Sequence, residues 1–303
     1  MYKRQVQIID EYTGRVMPDR FWSDGLHQMV EYKEGCELSD RRATIARITF
    51  QRFFRRYKTL AGMSGTLKPV ASELWATYRL PIARIPTHRP IQRILLPDLV
   101  ADSEEDKWRL IVSRVAELHA QGIPVMIGTR SVAVSDRASR ELAAHNLPHL
   151  VLNASQDDKE AQIVAQAGEA GRITIATNMA GRGTDIKVSH EALAKGGLHV
   201  IMSERHDARR IDLQLAGRCG RQGEPGCFQA ILSVEDALMT DAQSSLMGRI
   251  LNRLAGHAGQ DARRHFITQQ QRRIERLHAG MRASLLKNDL TQSRLLALSG
   301  QSE

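Results

Sequence analysis

The residues best equipped for chemistry in this 303-residue chain lie in QLAGRCGRQG, Gln214 to Gly223. Arg218 and Arg221 stand three apart, and each follows a glycine. Glycine costs a helix interior about 1 kcal/mol against alanine, so both guanidinium groups sit where a helix is hard to continue. Gly217 and Gly220 let the backbone approach something closely, while Arg218 and Arg221 project from one side. Paired arginines offer planar donor forks that match phosphate oxygens. One reading is an arginine finger, a charge delivered to a transferring γ-phosphate and worth about 10³–10⁵ in turnover. The competing reading is a solvated basic helix end that meets the helix dipole favourably.

A second cluster favours the first reading. NMAGRGTDI (Asn178–Ile186) has Gly181 and Gly183 flanking Arg182, with Asp185 following. Asp185 either caps the next helix, or accepts hydrogen bonds from ribose hydroxyls and orients the arginines. Other reactive side chains carry less. His199 and His206 have no partners at metal-ligand spacing, so no metal site is expected. Ser203 and Ser233 lack the context of a nucleophile. VQIIDE (Val6–Glu11) resembles a strand ending in a Mg²⁺-binding acidic pair, but no G-x-x-x-x-G-K-[ST] phosphate loop occurs in the chain. A strand end leading into a turn is the better reading.

These loops need a sheet to hold them. From about Ser103 to Val234, short apolar runs recur: Ile123–Gly128, His149–Asn153, Arg172–Thr177, Leu198–Met202 and Phe228–Leu232. Segments of helical spacing separate them, as in Trp108, Ile111, Val112, Val115 and Leu118. The alternation predicts an α/β fold, a parallel sheet with helices on both faces. Ligands of such sheets bind at loops following the carboxyl ends of strands, where both glycine–arginine clusters are expected. Before Pro86 the pattern differs: one strand over Val6–Asp10, then a basic helix over Ile45–Tyr57 with Ile45, Ile48, Phe53 and Phe54 inward. Ile85–Pro90, with two prolines, reads as a linker. After Met239 a long basic amphipathic helix is expected, docking through Ile267, Ile274, Leu277, Met281 and Leu285.

Composition bounds the partners. Lys and Arg number 43 against 34 Asp and Glu, a net charge of +9, which suits nucleic acid, nucleotide phosphates or anionic lipid. Cys36, Cys219 and Cys227 form no C-x-x-C pair, which points to a reducing compartment. No apolar run approaches the ~20 residues of a membrane span, and MYKRQVQIIDEY lacks a signal peptide's apolar stretch. A cytoplasmic protein with peripheral membrane contact is expected.

At these residues the sequence resembles the SecA family, motor ATPases of bacterial preprotein translocation. The stretches that carry the resemblance are IIDEYTGRVMPDRFWSDGLHQMVEYKEG, ITFQRFFRRYKTLAGMSGT, TIATNMAGRGTDI, GGLHVIMSERHDARRIDLQLAGRCGRQGEPG and LSVEDALM. They follow one another in family order over residues 6–239, and SDGLHQ and ERHDARRID are not features of generic helicases. The resemblance implies a P-loop NTPase (RecA-like) parallel-sheet domain, flanked by a partial N-terminal motor segment and a C-terminal α-helical segment. Residues 1–85 would be the C-terminal segment of the first nucleotide-binding domain. Residues 86–240 would be the second, helicase C-terminal-like domain, and 241–303 a helical scaffold segment. It implies Arg218 and Arg221 as γ-phosphate sensors, Gln222 beside them, and Gly181, Arg182, Gly183 and Asp185 at the nucleotide.

The implied activity is that of a protein-transporting ATPase, with ATP as ligand and Mg²⁺ held by an N-terminal half. The Walker A and B motifs would lie before residue 1, so the isolated chain is expected to be inactive. The implied partners are preproteins, the membrane channel of the SecY complex and an anionic phospholipid surface at the inner membrane. Homo-oligomerisation stays open. The chain departs from the family pattern at Ala216, where arginine is usual, at Cys219, where serine is usual, and in a shorter KVSHEALAKGG. These departures admit an accessory paralogue. Two other classes compete: a superfamily-2 nucleic-acid helicase half, and a non-catalytic docking domain. Single-strand binders pair basic grooves with stacking aromatics, and aromatics make up only 5% here, which disfavours nucleic acid.

Overall fold

Short apolar runs, buried at every position, build the centre of the molecule. The computed structural model describes residues 5–10, 16–40, 47–152, 157–177, 183–239 and 256–298. An antiparallel hairpin, β1 (Ile8–Ile9) and β2 (Val16–Met17), precedes α1 (Leu26–Lys33), α2 (Phe50–Phe54) and α3 (Ala71–Tyr78). After an irregular stretch, 79–91, come β3 (Gln92–Leu95), β4 (Leu99–Ala101), α4 (Glu104–Ala120), β5 (Val125–Thr129) and α5 (Val132–Ala144). Then follow β6 (Leu150–Leu152), α6 (Asp157–Gln166), β7 (Ile173–Thr177), α7 (His190–Ala194) and β8 (Leu198–Met202). The last described elements are α8 (Arg209–Ala216), β9 (Pro225–Ser233) and α9 (Gly256–Leu298).

The main sheet has seven strands in the order β3-β9-β8-β5-β7-β6, with β4 also on β9, and every pairing is parallel. The expected α/β fold is the observed one. β9 outgrows the predicted Phe228–Leu232 because it pairs with β8 on one side and with β3 and β4 in succession on the other.

Alternation along each strand feeds two cores. On one face Met126, Leu198, Val200, Met202, Phe228 and Ala230 pack under Val164, Leu215, Phe266 and Ile267 from α6, α8 and α9. On the other, Val125, Ile127, Ile175, Ile201 and Ile231 meet Trp108, Ile111, Val115 and Leu118 of α4 and Leu142 of α5. Helices therefore cover both faces, which a parallel sheet requires. Ser103 caps α4, its hydroxyl accepting from Asp106 N, and three acidic residues in the first turn suit the helix dipole.

The flanks correct the sequence reading. The helix expected over Ile45–Tyr57 is only α2, five residues long, with Phe50, Phe53 and Phe54 exposed; Ile45 lies outside the described residues. Thr49 sets its start, accepting from Arg52 N, while its own N–H and hydroxyl donate to Asp289 of α9 at 2.9 and 2.6 Å. The strand expected over Val6–Asp10 is only Ile8–Ile9.

α9 docks differently from its expected stripe. Its first half meets the sheet: Phe266 and Ile267 are buried, and Gln260 bonds both N–H and C=O of Val100 on the outer edge of β4. Arg263 is buried and paired with Asp102. Leu277, Met281 and Leu285 are exposed, because the second half meets the N-terminal segment through polar contacts such as Arg282–Glu73 and Thr49–Asp289.

Two outcomes follow. Ile267→Ala is expected to cost about 2–4 kcal/mol in urea unfolding, and Leu277→Ser less than about 0.5 kcal/mol; equal losses would contradict this docking. His199, 3% exposed on β8, has its pKa lowered to about 4, chiefly by burial and then by Arg114. The unfolded chain binds this proton below about pH 6.5 and the folded chain only near 4, so stability falls as pH drops across that window. At about 1.4 kcal/mol per pH unit the loss is about 3 kcal/mol. His199→Leu is expected to flatten the stability profile between pH 6.5 and 4 by that amount, and an unchanged profile would refute it.

Candidate functional site

α8 carries the arginine loop and is fixed from its N-terminal end. Ala208 offers no side-chain cap, and Glu275 of α9 accepts from Arg209 N instead, at 2.5 Å. Asp212, 3% exposed in the first turn, accepts from His206 N and Nδ1 at 3.0 and 2.8 Å. It accepts also from Arg205 Nη1 at 3.0 Å and Gln271 Nε2 at 2.7 Å. Burial pushes its pKa up, but the hydrogen bonds and the His206 and Arg205 charges hold it below the usual carboxylate value. Arg205 also pairs with Asp98, Asp207 lies 2.9 Å from Arg130, and Glu204 lies 3.8 Å from Lys107. The charged run ERHDARRID thus becomes a paired junction between β8, α8 and α9.

From there α8 lies hard against the sheet. A Cβ added at Gly128 of β5 would stand 2.3 Å from Leu215 Cδ2. The helix ends at Ala216 with Gly217 as its cap. Arg218 and Arg221 therefore leave from an irregular loop, which answers why glycines surround them. The close approach that Gly220 permits, at φ +60°, is to strand β3: an added Cβ would stand 2.6 Å from Arg93 Cβ. Gln222, a non-glycine at φ +54°, holds a left-handed conformation that persists only where the surroundings demand it. Between the arginines, Cys219 is buried, which pushes its thiol up to about 12.

Arg221 is oriented by three acceptors. Its Nε donates to Gly217 O at 2.8 Å, and its Nη1 to Asp185 Oδ1 at 2.6 Å and Thr184 O at 3.4 Å. It stands between two clefts. The first, about 550 Å³, is lined by His88, Arg89, Asp185 and Gln222 among others. The second, about 470 Å³, is lined by Ser64, Gly65, Thr66, Gly183, Gln214 and Arg218 among others. Arg93, Gly217 and Arg221 line both.

Both arginines line the second cleft, and Arg221 lines the first as well. Gly181 and Arg182 lie outside the described residues. The loop's position also differs from expectation. Residues 217–223 lead into β9, so they lie at the amino ends of β9 and β3, where Pro225 pairs with Gln92. Asp185 meets them because the chain after β7 has already turned back: Ser189 N donates to Gly168 O, beyond the end of α6. Sequence reasoning missed Arg89, Arg93 and Ser64–Thr66 as site residues. No local signal marks them, since each joins the site by contact across long stretches of chain.

Guanidinium donors around two open clefts suit an anionic ligand with several oxygens, and Asp185 adds an acceptor beside them. Among the described residues no group of three or more His, Cys, Asp or Glu could hold a metal ion, and no helix is long and apolar enough to cross a membrane.

Comparison with known proteins adds a family pattern to this geometry. The model of the SecA P-loop domain matches residues 90–192 and 187–259, and that of the SecA DEAD-like domain matches residues 2–75. The protein translocase subunit SecA 2 of Bordetella avium is 50% identical over 302 residues, 99% of this chain and 46% of that protein. The protein translocase subunit SecA of Chlorobium luteolum is 46% identical over 296 residues, 96% of this chain and 29% of that protein. The chain thus spans less than half the length of these relatives. A solved structure of the E. coli DEAD-box protein SrmB covers 56% of this chain at 19% identity and a TM-score of 0.39, too distant to carry an argument.

The two aspartates of the site separate stability from function. Asp212→Ala is expected to cost about 3–5 kcal/mol, because it removes the shared acceptor of the buried His206 N–H and ring, of Gln271 and of one arm of Arg205. Asp185→Ala removes a half-exposed pair and is expected to cost less than about 1 kcal/mol. Chemical denaturation measures both, and an Asp185 loss as large as that of Asp212 would contradict the geometry.

Proposed function

This chain belongs to the SecA family, and from that premise we propose that it forms the arginine-bearing part of an ATP-driven preprotein translocation motor. The observation that carries this reading is Arg221, held by Gly217 O and Asp185 on the wall between two clefts. In this reading residues 1–85 end the first nucleotide-binding domain, 86–240 form the second and 241–303 begin a helical scaffold. Preproteins, the membrane channel and an anionic inner-membrane surface are the partners of the whole motor.

ATP is bound with its γ-phosphate toward the arginine loop. Arg221 and Arg218 donate to the γ-phosphate oxygens, on which negative charge spreads in the transition state, so they act on turnover more than on binding. Asp185 keeps the Arg221 fork from swinging into solvent and offers an acceptor for ribose hydroxyls. Gln222 lines the same cleft beside Arg221, and Gly181, Arg182 and Gly183, which precede Asp185 in sequence, complete the nucleotide-binding set. Phosphate grip in such motors comes mainly from P-loop amides and a lysine, with Mg²⁺ held by a hydroxyl and an acidic residue. The 303 residues contain no G-x-x-x-x-G-K-[ST], so these groups come from a P-loop-bearing half. The charge and orientation of the arginines support this reading over a non-catalytic docking domain.

The test joins this chain to a P-loop-bearing half of a SecA-type motor. The 303-residue chain alone is expected to show no measurable ATP hydrolysis and an affinity no better than about millimolar, or about 4 kcal/mol. The assembled motor is expected to hydrolyse ATP. Arg221→Ala, and likewise Arg218→Ala, is expected to lower kcat by about a hundredfold or more with ATP still bound. Near-normal turnover in both variants, or hydrolysis by the lone chain that Arg221→Ala does not change, would overturn the proposal.

A further inference from the structure

We propose that Arg93 is a positioning residue for Arg221, acting from the edge strand β3 by clamping the end of α8 and the loop that carries both arginines. This rests on the reading of Arg221 as the charge that faces the γ-phosphate. Arg93 Nη1 donates to Ala216 O at 2.6 Å. That carbonyl is the last of α8, where helix acceptors lack intrahelical donors and a cation meets the negative end of the dipole. The backbone and Cβ of Arg93 close against Gly220, so the loop folds over β3 with no room for a side chain between them.

Four residues earlier, Arg89 repeats the arrangement on the far end of the loop. Its Nη1 approaches Gln222 O at 3.4 Å, and a Cβ added at Gly223 would stand 2.8 Å from Arg89 Cβ. Arg218 and Arg221 thus stand between two backbone clamps, supplied by Arg89 before β3 and Arg93 within it. Arg221 Nε in turn bonds Gly217 O, one residue beyond the carbonyl that Arg93 holds. A shift of Ala216 and Gly217 would move the anchor of Arg221 directly. Misplacement by about 1 Å can cost about a hundredfold in rate, so Arg93 can control turnover through the backbone it holds. Lysine keeps one donor for Ala216 O, whereas alanine keeps none.

Cys219 reports on this clamp without any nucleotide. It is 1% exposed between the two arginines, its Sγ lying 3.4 Å from Ala216 O. A thiol so buried reacts only when the loop opens. The first measurement is therefore the rate at which iodoacetamide labels Cys219 in the folded 303-residue chain, resolved from Cys36 and Cys227 by mass spectrometry. Arg93→Ala is expected to raise that rate by about tenfold or more, with Arg93→Lys staying near wild type. Arg89→Ala serves as a second variant and is expected to raise the rate as well, and Gln92→Ala, an exposed neighbour on β3, to leave it unchanged. An Arg93→Ala rate equal to wild type, in a chain whose melting temperature is also unchanged, would overturn the clamp.

The second measurement uses the motor assembled with a P-loop-bearing half. Arg93→Ala is expected to lower kcat by about tenfold to a hundredfold with little change in KM for ATP, and Arg93→Lys to recover most of it. In an Arg221→Ala background, Arg93→Ala is expected to cost much less than it does alone, because the two changes share the Arg221 interaction and only the placement of Arg218 is left to lose. Multiplied losses would show that Arg93 contacts the nucleotide itself and would refute the positioning role. If Arg221→Ala leaves turnover intact, the functional reading fails on its own, and the Cys219 rate still decides the clamp.

Discussion

A buried carboxylate, Asp212, is the constraint on which the arrangement of the site depends. It lies in the first turn of α8 and is out of water, so its charge survives only if donors surround it. The donors come from its own approach segment, through Arg205 and His206, and from α9, through Gln271. Satisfying one charge therefore fixes how β8 hands over to α8 and where α9 crosses. Arg205 extends the tie to Asp98, in the connection between β3 and β4. With that end of α8 fixed and Leu215 seated over Gly128, the position of Ala216 is determined before the arginine loop begins.

The loop is then built by denial of helix. Gly217 stops α8, and Gly220 lets the chain pass over β3 at a distance that any side chain would prevent. The guanidinium groups leave from backbone braced by strand β3, which limits their motion more than a fraying helix end would. Arg221 has acceptors on both sides, in Gly217 O and Asp185. Oriented in this way, it costs little further ordering when an anion arrives.

The flanking segments behave differently from this centre. The sheet and its two cores bury apolar side chains on both faces. The N-terminal segment leaves Phe50, Phe53, Phe54, Tyr57 and Trp75 substantially exposed. The second half of α9 joins that segment through ion pairs and capping contacts, at Arg282–Glu73 and Asp289–Thr49, and its own apolar stripe stays in solvent. Exposed ion pairs contribute little to stability, so α9 is anchored by Phe266, Ile267 and the junction at Asp212.

What the sequence determined by itself was whatever depends on near neighbours in the chain. Short apolar runs marked the strands, 3.6-residue spacing marked α4, and their alternation marked the α/β class. Glycine beside arginine marked the end of α8, and the run of motifs marked the family. The same local rules overreached at Ile48–Phe54 and at Leu277–Leu285, where apolar spacing suggested burial that no neighbouring surface among the described residues supplies. Only the tertiary structure decided the site. Strand pairing carried the arginine loop to the amino ends of β9 and β3, brought Asp185 against Arg221, and set Arg93 beneath Gly220. The Arg93–Ala216 hydrogen bond spans 123 residues, and a contact at that separation leaves no periodicity to read. It exists because parallel pairing with β9 puts β3 beside a loop whose sequence makes no reference to it.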